Sequence, residues 1–150
     1  MSRNVREPET GTIIDMTLDG RGVARPPGKT VFVDGAVTGE TVRFVRRRRK
    51  RNFDEAELLE VIEPSTRRIE PRCASFGVCG GCSLQHLAPG DQLEMKQDAL
   101  LDALRRIGTV EPARVLDPIS ASPWGYRRKA RLAVKHVTKK GRVLVGFRER

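Results

Sequence analysis

Aromatic side chains are scarce in this 150-residue chain: one Trp, one Tyr and five Phe. The hydrophobic 38% is mostly Val, Leu, Ile and Ala. That is enough to bury a core, which argues against a wholly disordered chain. No apolar run approaches the ~20 residues that span a bilayer, which argues against a transmembrane protein. The opening residues, Met1-Ser2-Arg3-Asn4, carry no apolar stretch of a signal peptide. There are only three cysteines. An odd number speaks against a secreted disulfide framework, and a reducing cytoplasm is the expected setting.

What the chain does have is positive charge. Lys and Arg number 29 against 19 acids, for a net charge of +10, and 22 of the 29 are Arg. A GC-rich genome would account for the excess of Arg over Lys but not for the net charge. The guanidinium fork suits phosphates and guanine edges, so the bias points to nucleic acid. The charge is unevenly placed. Net values are −1 for residues 1–40, +4 for 41–72, −2 for 73–120 and +9 for 121–150.

The first basic block lies in a segment that reads as β. Thr12–Leu18 is strand-like, and Asp19-Gly20-Arg21-Gly22 is a turn. Val23-Ala24-Arg25 resumes before a second turn, Pro26-Pro27-Gly28-Lys29. Thr30–Val33 is a short strand broken by Asp34-Gly35. After Gly39-Glu40, Thr41–Val45 runs into the basic stretch Arg46–Arg51, and Glu55–Ile62 reads as helix or strand, with the strands before it and Pro64 as a stop favouring strand. Short strands with turns about every ten residues predict a small barrel of OB-like type over residues 1–66. The predicted fold class is mainly β with one helix (α+β). The Arg46–Arg51 run reads either as a solvated hairpin tip or as an RNA contact. The second basic block favours contact, with Arg46, Arg47, Arg48 and Arg49 as candidates. The pattern Gly20-x-Gly22-Val23-Ala24-Arg25, then Gly28–Val33, then Gly39-Glu40, resembles a TRAM domain over about residues 8–63. TRAM domains are small RNA-binding β-barrels attached to tRNA- and rRNA-modifying enzymes.

A cysteine cluster follows. Cys73, Cys79 and Cys82 are spaced C-x5-C-x2-C in a loop with Gly77, Gly80 and Gly81. Thiolates that close together, on a backbone able to fold tightly, select an iron–sulfur cluster or zinc. A tetrahedral zinc site would add His86, four residues past Cys82. A 4Fe–4S cluster would need a fourth ligand, and the chain has no fourth Cys. The C-x3-C-x2-C spacing of radical-SAM enzymes is not matched. The string Arg72-Cys73-x-x-Phe76-Gly77-Val78-Cys79-Gly80-Gly81-Cys82 resembles the iron–sulfur motif of the RNA (uracil-5-)-methyltransferases, in particular the bacterial enzymes acting on 23S rRNA. The resemblance implies that residues 67–90 form an iron–sulfur loop. Cys73, Cys79 and Cys82 would be metal ligands and a fourth Cys would lie beyond Arg150. The cluster would be structural or RNA-orienting rather than redox-active.

One helix is predicted over residues 91–108. Asp91 is a candidate N-cap with Glu94 three residues on, and Gly108 is a stop. Leu93, Leu100, Leu101, Leu104 and Ile107 share a face expected to pack on neighbouring domains. Pro112, Pro118 and Pro123 mark a linker over residues 109–125. Pro123-Trp124-Gly125-Tyr126-Arg127-Arg128-Lys129-Ala130-Arg131-Leu132, with Gly146-Phe147-Arg148, resembles the family segment that opens a small central domain. Residues 126–150 are expected to begin that domain without completing it. Arg131–Val137 and Arg142–Phe147 read as a hairpin turned by Lys139-Lys140-Gly141. Trp124 and Tyr126 are candidates to stack on an unpaired base. Arg127, Lys129 and Arg131 would grip backbone from one face of a strand, opposite Arg128.

The resemblance as a whole implies the N-terminal portion of an S-adenosylmethionine-dependent enzyme that makes 5-methyluridine in 23S rRNA. The RNA region would be single-stranded or looped, and the protein a cytoplasmic monomer. In that family a cysteine attacks uracil C6, the methyl group passes to C5, and a base removes the C5 proton. This sequence shows no glycine-rich cofactor loop after a long strand, and no candidate nucleophile outside the cysteine cluster. No catalytic residue is assigned, the S-adenosylmethionine site would lie in a catalytic domain outside this stretch, and the stretch alone is expected to be inactive. The alternative is a stand-alone RNA-binding module with a Cys3His zinc site and no catalysis.

Overall fold

A computed structural model describes residues 7–149. The first six residues of the expected barrel span, and Arg150, lie outside the described residues. Five strands form the barrel: β1 (Glu9–Met16), β2 (Arg21–Ala24), β3 (Thr30–Asp34), β4 (Thr41–Arg49) and β5 (Phe53–Glu63). They close in the order β1-β2-β3-β5-β4, with β4 returning to β1. The β3–β5 pairing is parallel and the others are antiparallel. Closure removes the exposed sheet edges that an open five-stranded sheet would carry. The expected architecture, mainly β with one helix around a small OB-like barrel, is the one observed.

Alternation along the strands fills the interior. Val31 and Val33 of β3, Val42 and Phe44 of β4, and Ala56 of β5 point inward with Ile13, Ala24 and Ala36. β-Branched side chains dominate because they suit a pleated surface buried on one face. Gly22 is required by packing: a Cβ there would lie 2.9 Å from both the Ala36 and Ile13 side chains. The first glycine of the Gly-x-Gly pair, Gly20, holds the β1–β2 turn at φ +85°.

The Arg46–Arg51 run is not a hairpin tip as a whole. Arg46 to Arg49 extend β4, and only Lys50 to Asn52 turn. Arg46 is drawn into the barrel wall. Its Nε and Nη2 donate to Glu9 at 2.8 and 2.7 Å, and its Nη1 donates to Asp54 at 2.8 Å. Lys29 donates to the other Asp54 oxygen at 3.1 Å. Asp54 is buried, at 2% exposure. Burial alone would raise its pKa, but hydrogen bonds from Arg46 and Lys29 and their charges hold it below its ordinary value. The Glu9 hydrogen bonds raise that of Arg46. β1, β4 and β5 are riveted together by this one network.

Beyond the barrel come α1 (Pro89–Arg106) and a hairpin of β6 (Ala133–Val137) and β7 (Arg142–Gly146), joined by a 3₁₀ turn over Thr138–Lys140. The helix starts earlier than expected. Ala88 is its N-cap without a side-chain bond and Pro89 begins it, because proline's missing N–H costs nothing in a first turn. Asp91 sits in that first turn and pairs with Arg67 at 3.6 Å. The helix ends at Arg106 with Ile107 as C-cap; a Cβ on Gly108 would stand 2.8 Å from the Leu104 carbonyl oxygen, but the left-handed position falls on Thr109 (φ +53°).

The leucine face expected to pack on neighbouring domains is only partly covered among the described residues. Leu100 and Ile107 are exposed. Leu100, Leu101 and Leu104 line a groove of about 390 Å³ with Pro112, Val115 and Leu116 of the linker. The helix docks instead through Met95, against Met16, Val37 and Leu87. The hairpin also begins later than expected. Residues 126–132 have no regular structure, so strand alternation does not set the faces of Arg127, Arg128, Lys129 and Arg131.

The Asp54 network has an acid signature. Asp54 and Glu40 have folded pKa values below their ordinary 3.8 and 4.5. Their stabilisation is complete above those ordinary values and is lost as pH falls through the lowered ones. Thermal melts from pH 7 to pH 2 are expected to show the loss concentrated below about pH 4.5. Asp54→Asn leaves Arg46 and Lys29 short of a buried partner, is expected to cost about 3 kcal/mol at pH 7, and should flatten part of the acid dependence. A variant as stable as the parent at both ends of that range would refute the rivet.

Candidate nucleic-acid interface and cysteine loop

The segment 69–88 leaves the barrel and returns to it. Its two stems are tied: Arg68 pairs with Leu87, the Ile69 N–H donates to the His86 carbonyl (3.0 Å), and the Ala88 N–H donates to the Arg67 carbonyl (3.3 Å). Within the loop, turns are closed by Phe76 N–H to Cys73 O (2.9 Å) and Cys79 N–H to Ser75 O (2.9 Å). Gly77 takes φ +86°, and the Gly81 N–H donates to Cys79 Sγ at 3.4 Å.

Cys73 and Cys82 are exposed, Cys79 is half-buried, and none is in a disulfide. Three free thiols within one short loop, with an amide already turned to sulfur, are a donor set of the right chemistry for a soft metal or an iron–sulfur cluster. Among the described residues, no group of three or more Cys, His, Asp or Glu side chains stands close enough to hold a metal ion. The loop gathers the thiols without converging them. His86, the fourth ligand of the zinc alternative, is buried with its ring 5.2 Å from that of Phe76.

The loop is docked on the barrel at two places. At the β1–β2 turn, a Cβ on Gly20 would meet the Ser83 carbonyl oxygen at 2.7 Å. At the other, the fully buried Glu40 accepts from the Val37 N–H (2.8 Å) and from Arg68 Nη2 (2.8 Å) and Nε. Arg68 also donates to the Gly35 carbonyl (2.7 Å). Burial opposes the charged form of Glu40, but those bonds and the Arg68 charge outweigh it and hold its pKa down.

The loop also receives the far end of the chain. Cys79 pairs with Glu149, the Gly80 N–H donates to the Arg148 carbonyl (2.8 Å), and a Cβ on Gly81 would touch the Phe147 ring at 3.3 Å. Arg72 lies over the Trp124 ring, 5.0 Å from its centroid, and Arg127 lies 5.6 Å from that of Tyr126. The second basic block is thereby brought to the cysteine loop. Trp124, Tyr126, Arg127, Lys129 and Arg131 are all exposed. Arg72, next to Cys73 in sequence, was not singled out by the sequence because its aromatic partner lies 52 positions away.

The two basic blocks differ in how far their charge is used. In the first, Arg46 is internal, Arg47 pairs with Glu57 and Arg48 with Glu55 (3.7 Å). Arg49, Lys50 and Arg51 are exposed and in no ion pair among the described residues. In the second, Arg127, Arg128, Lys129 and Arg131 are in none either. Of the four candidates in the first block only Arg49 is thus in no ion pair among the described residues, and the two residues after it, Lys50 and Arg51, join it.

No protein-family model matches the chain. Curated proteins do. It is 54% identical over 145 residues, 97% of its length, to the 23S rRNA (uracil(1939)-C(5))-methyltransferase RlmD of Alkalilimnicola ehrlichii. It is 54% identical over 146 residues to the protein of that name from Nitrosococcus oceani, and 56% over 140 to that from Xylella fastidiosa. Over nearly its whole length the chain is thus similar to proteins of that name. It spans about a third of the length of these relatives. No helix among the described residues is long and apolar enough to cross a membrane.

The docking of the loop at Gly20 predicts a separable effect. Gly20→Ala adds a Cβ against Ser83, whereas Gly28→Ala meets a similar positive φ (+100°) with nothing within 4 Å. Both should lose about 1 kcal/mol or more to backbone strain. Only Gly20→Ala should accelerate amide hydrogen exchange at Leu84 to Leu87. Equal exchange in the two variants would show that the turn does not hold the loop.

Proposed function

We propose that this chain is the RNA-gripping and cysteine-bearing part of an S-adenosylmethionine-dependent 23S rRNA (uracil-5-)-methyltransferase that makes 5-methyluridine. The observation that carries the reading is the identity of about half of all residues over nearly the whole chain with proteins of that name. The barrel, taken as a TRAM-type domain, and the arm at residues 124–131 hold single-stranded or looped ribosomal RNA. Cys73, Cys79 and Cys82 would hold a 4Fe–4S cluster together with a fourth ligand outside the chain. When bound, such a cluster supplies a rigid cross-link of the loop.

The roles of this chain's own residues follow from their placement. Arg49, Lys50 and Arg51 meet phosphates from the barrel end, and Arg127, Lys129 and Arg131 meet them from the arm. Arg47 and Arg48 reach RNA only by exchanging the carboxylates they hold, and Arg46 keeps the barrel closed. Trp124 and Tyr126 offer rings to unpaired bases beside the cysteine loop. The target uracil must leave its stack to react, and a grip on the backbone around it lowers the cost of that exposure. Methyl transfer and the S-adenosylmethionine site belong to the remaining two-thirds of such an enzyme, and the chain alone is inactive.

Two readouts on one preparation test this. Protein purified without air should be brown and carry about four irons per chain, falling sharply in Cys79→Ser while the barrel still melts cooperatively. One zinc in a colourless protein would instead favour the module without catalysis. For RNA, each neutralised phosphate contributes about −0.7 to the slope of log K against log salt for single strands. Replacing Arg49, Lys50 and Arg51 by Ala should flatten the slope by up to about 2. An unchanged slope would show that this turn is only solvated.

A further inference from the structure

On the outer wall of the barrel, Phe32 of β3 and Phe53 of β5 meet edge to face. Their ring centroids are 5.2 Å apart and their planes 72° apart. The guanidinium of Arg21, at the start of β2, lies 5.0 Å from the Phe32 centroid. Phe32 alternates with the buried Val31 and Val33, and Phe53 precedes the buried Asp54, so both rings face outward and remain half-exposed. The interior is filled without them. Asp19 holds Arg21 in place at 2.9 Å.

The charges around these three side chains favour a polyanion. The end of β4 and the turn that leads into Phe53 carry Arg49, Lys50 and Arg51, and the Lys50 N–H donates to the Phe53 carbonyl at 3.0 Å. Besides Asp19, which is paired with Arg21, two carboxylates lie nearby. Glu55, the register partner of Phe32, is matched by Arg48 at 3.7 Å, and Asp34 is the register partner of Arg21. The free cations at the turn outnumber the one carboxylate among these that has no cation on it.

We propose that Arg21, Phe32 and Phe53 form a ledge on which one unpaired nucleobase of a single-stranded RNA stacks, with Arg49, Lys50 and Arg51 on the phosphates beside it. The inference rests on the RNA-binding reading above and adds to it a base-contacting surface on the barrel, separate from the Trp124 arm. An arginine backed by an aromatic ring presents its planar face outward, and both guanidinium and ring accept the π-face of any base. The ledge carries no ordered set of hydrogen-bond groups, so it takes a base without choosing its identity. Two rings flanked by cations expose too little apolar area for a protein partner.

The test uses the whole chain and a short single-stranded oligouridylate, labelled with fluorescein or carrying one 2-aminopurine. The wild type is expected to bind and to quench the 2-aminopurine. Phe32→Leu and Arg21→Gln should each weaken binding about ten-fold and reduce quenching, and Phe32→Tyr should restore both. Phe32→Leu should leave the salt slope unchanged, because it removes no charge. Arg21→Gln takes no ring from the barrel wall and carries the test if Phe32→Leu melts early. Wild-type affinity and quenching in both variants, with a flattened slope in the Arg49/Lys50/Arg51 triple Ala variant, would overturn the ledge and leave RNA binding standing. No binding by the wild type even at low salt would overturn both.

Discussion

Glu40 is fully buried in a small barrel, where a carboxylate with no cation would be expelled or protonated. It stays charged because Arg68 reaches it from the point where the chain leaves the barrel. Arg68 also pairs with Leu87, where the chain comes back. One buried ion pair therefore fixes both stems of the cysteine-bearing loop. Everything carried by that loop inherits its position from this pair: the thiols, the Arg72–Trp124 stack, and the backbone pairing with Arg148 and Glu149. Breaking one side of such a pair costs about 3–5 kcal/mol, because the charge left behind has no partner. Buried ion pairs add less net stability than that figure implies, and what this one contributes is a fixed orientation.

The net charge of +10 divides by function in the same structural terms. Asp54 claims Arg46 and Lys29, and Glu40 claims Arg68. These cations hold the fold and are lost to any ligand. Arg47 and Arg48 are partly neutralised by Glu57 and Glu55 on the adjoining strand. The charge available to a polyanion is concentrated at the β4–β5 turn and on the irregular stretch before β6. These are two separate patches of positive charge, unpaired among the described residues. Their field is salt-dependent, since exposed charges are screened over about 8–10 Å at physiological ionic strength.

The barrel was legible in the sequence because its signals are local. Glycine and proline turns punctuate short β-branched runs, and those alone place β1 to β5 to within a few residues. Glu40 and Gly22 were visible as parts of a pattern, but their physical reasons were not. Gly22 is constrained by Ala36 and Glu40 by Arg68, contacts that span 14 and 28 positions. The partners of Arg46 were hidden for the same reason, since Glu9 lies 37 residues away. The strand reading of residues 131–132 failed differently, and the leucine face is only partly covered among the described residues. Periodicity states which face an element offers and not whether a neighbour covers it. In α1, Met95 finds the Met16–Val37–Leu87 cluster while Leu100 and Ile107 do not. The cysteine spacing gave a donor set. Its docking at Gly20, and its contact with the end of the chain, follow from tertiary packing alone.

The central claim is that barrel and cysteine loop are held as one body through the buried charge of Glu40. Amide hydrogen exchange on Glu40→Gln tests it most directly, because the variant keeps the shape and removes the charge that Arg68 answers. The account predicts that β1 to β5 stay protected while residues 65–88 exchange at least ten-fold faster, the equivalent of about 1.4 kcal/mol of local opening. Unchanged protection across residues 65–88, with the barrel intact, would contradict it.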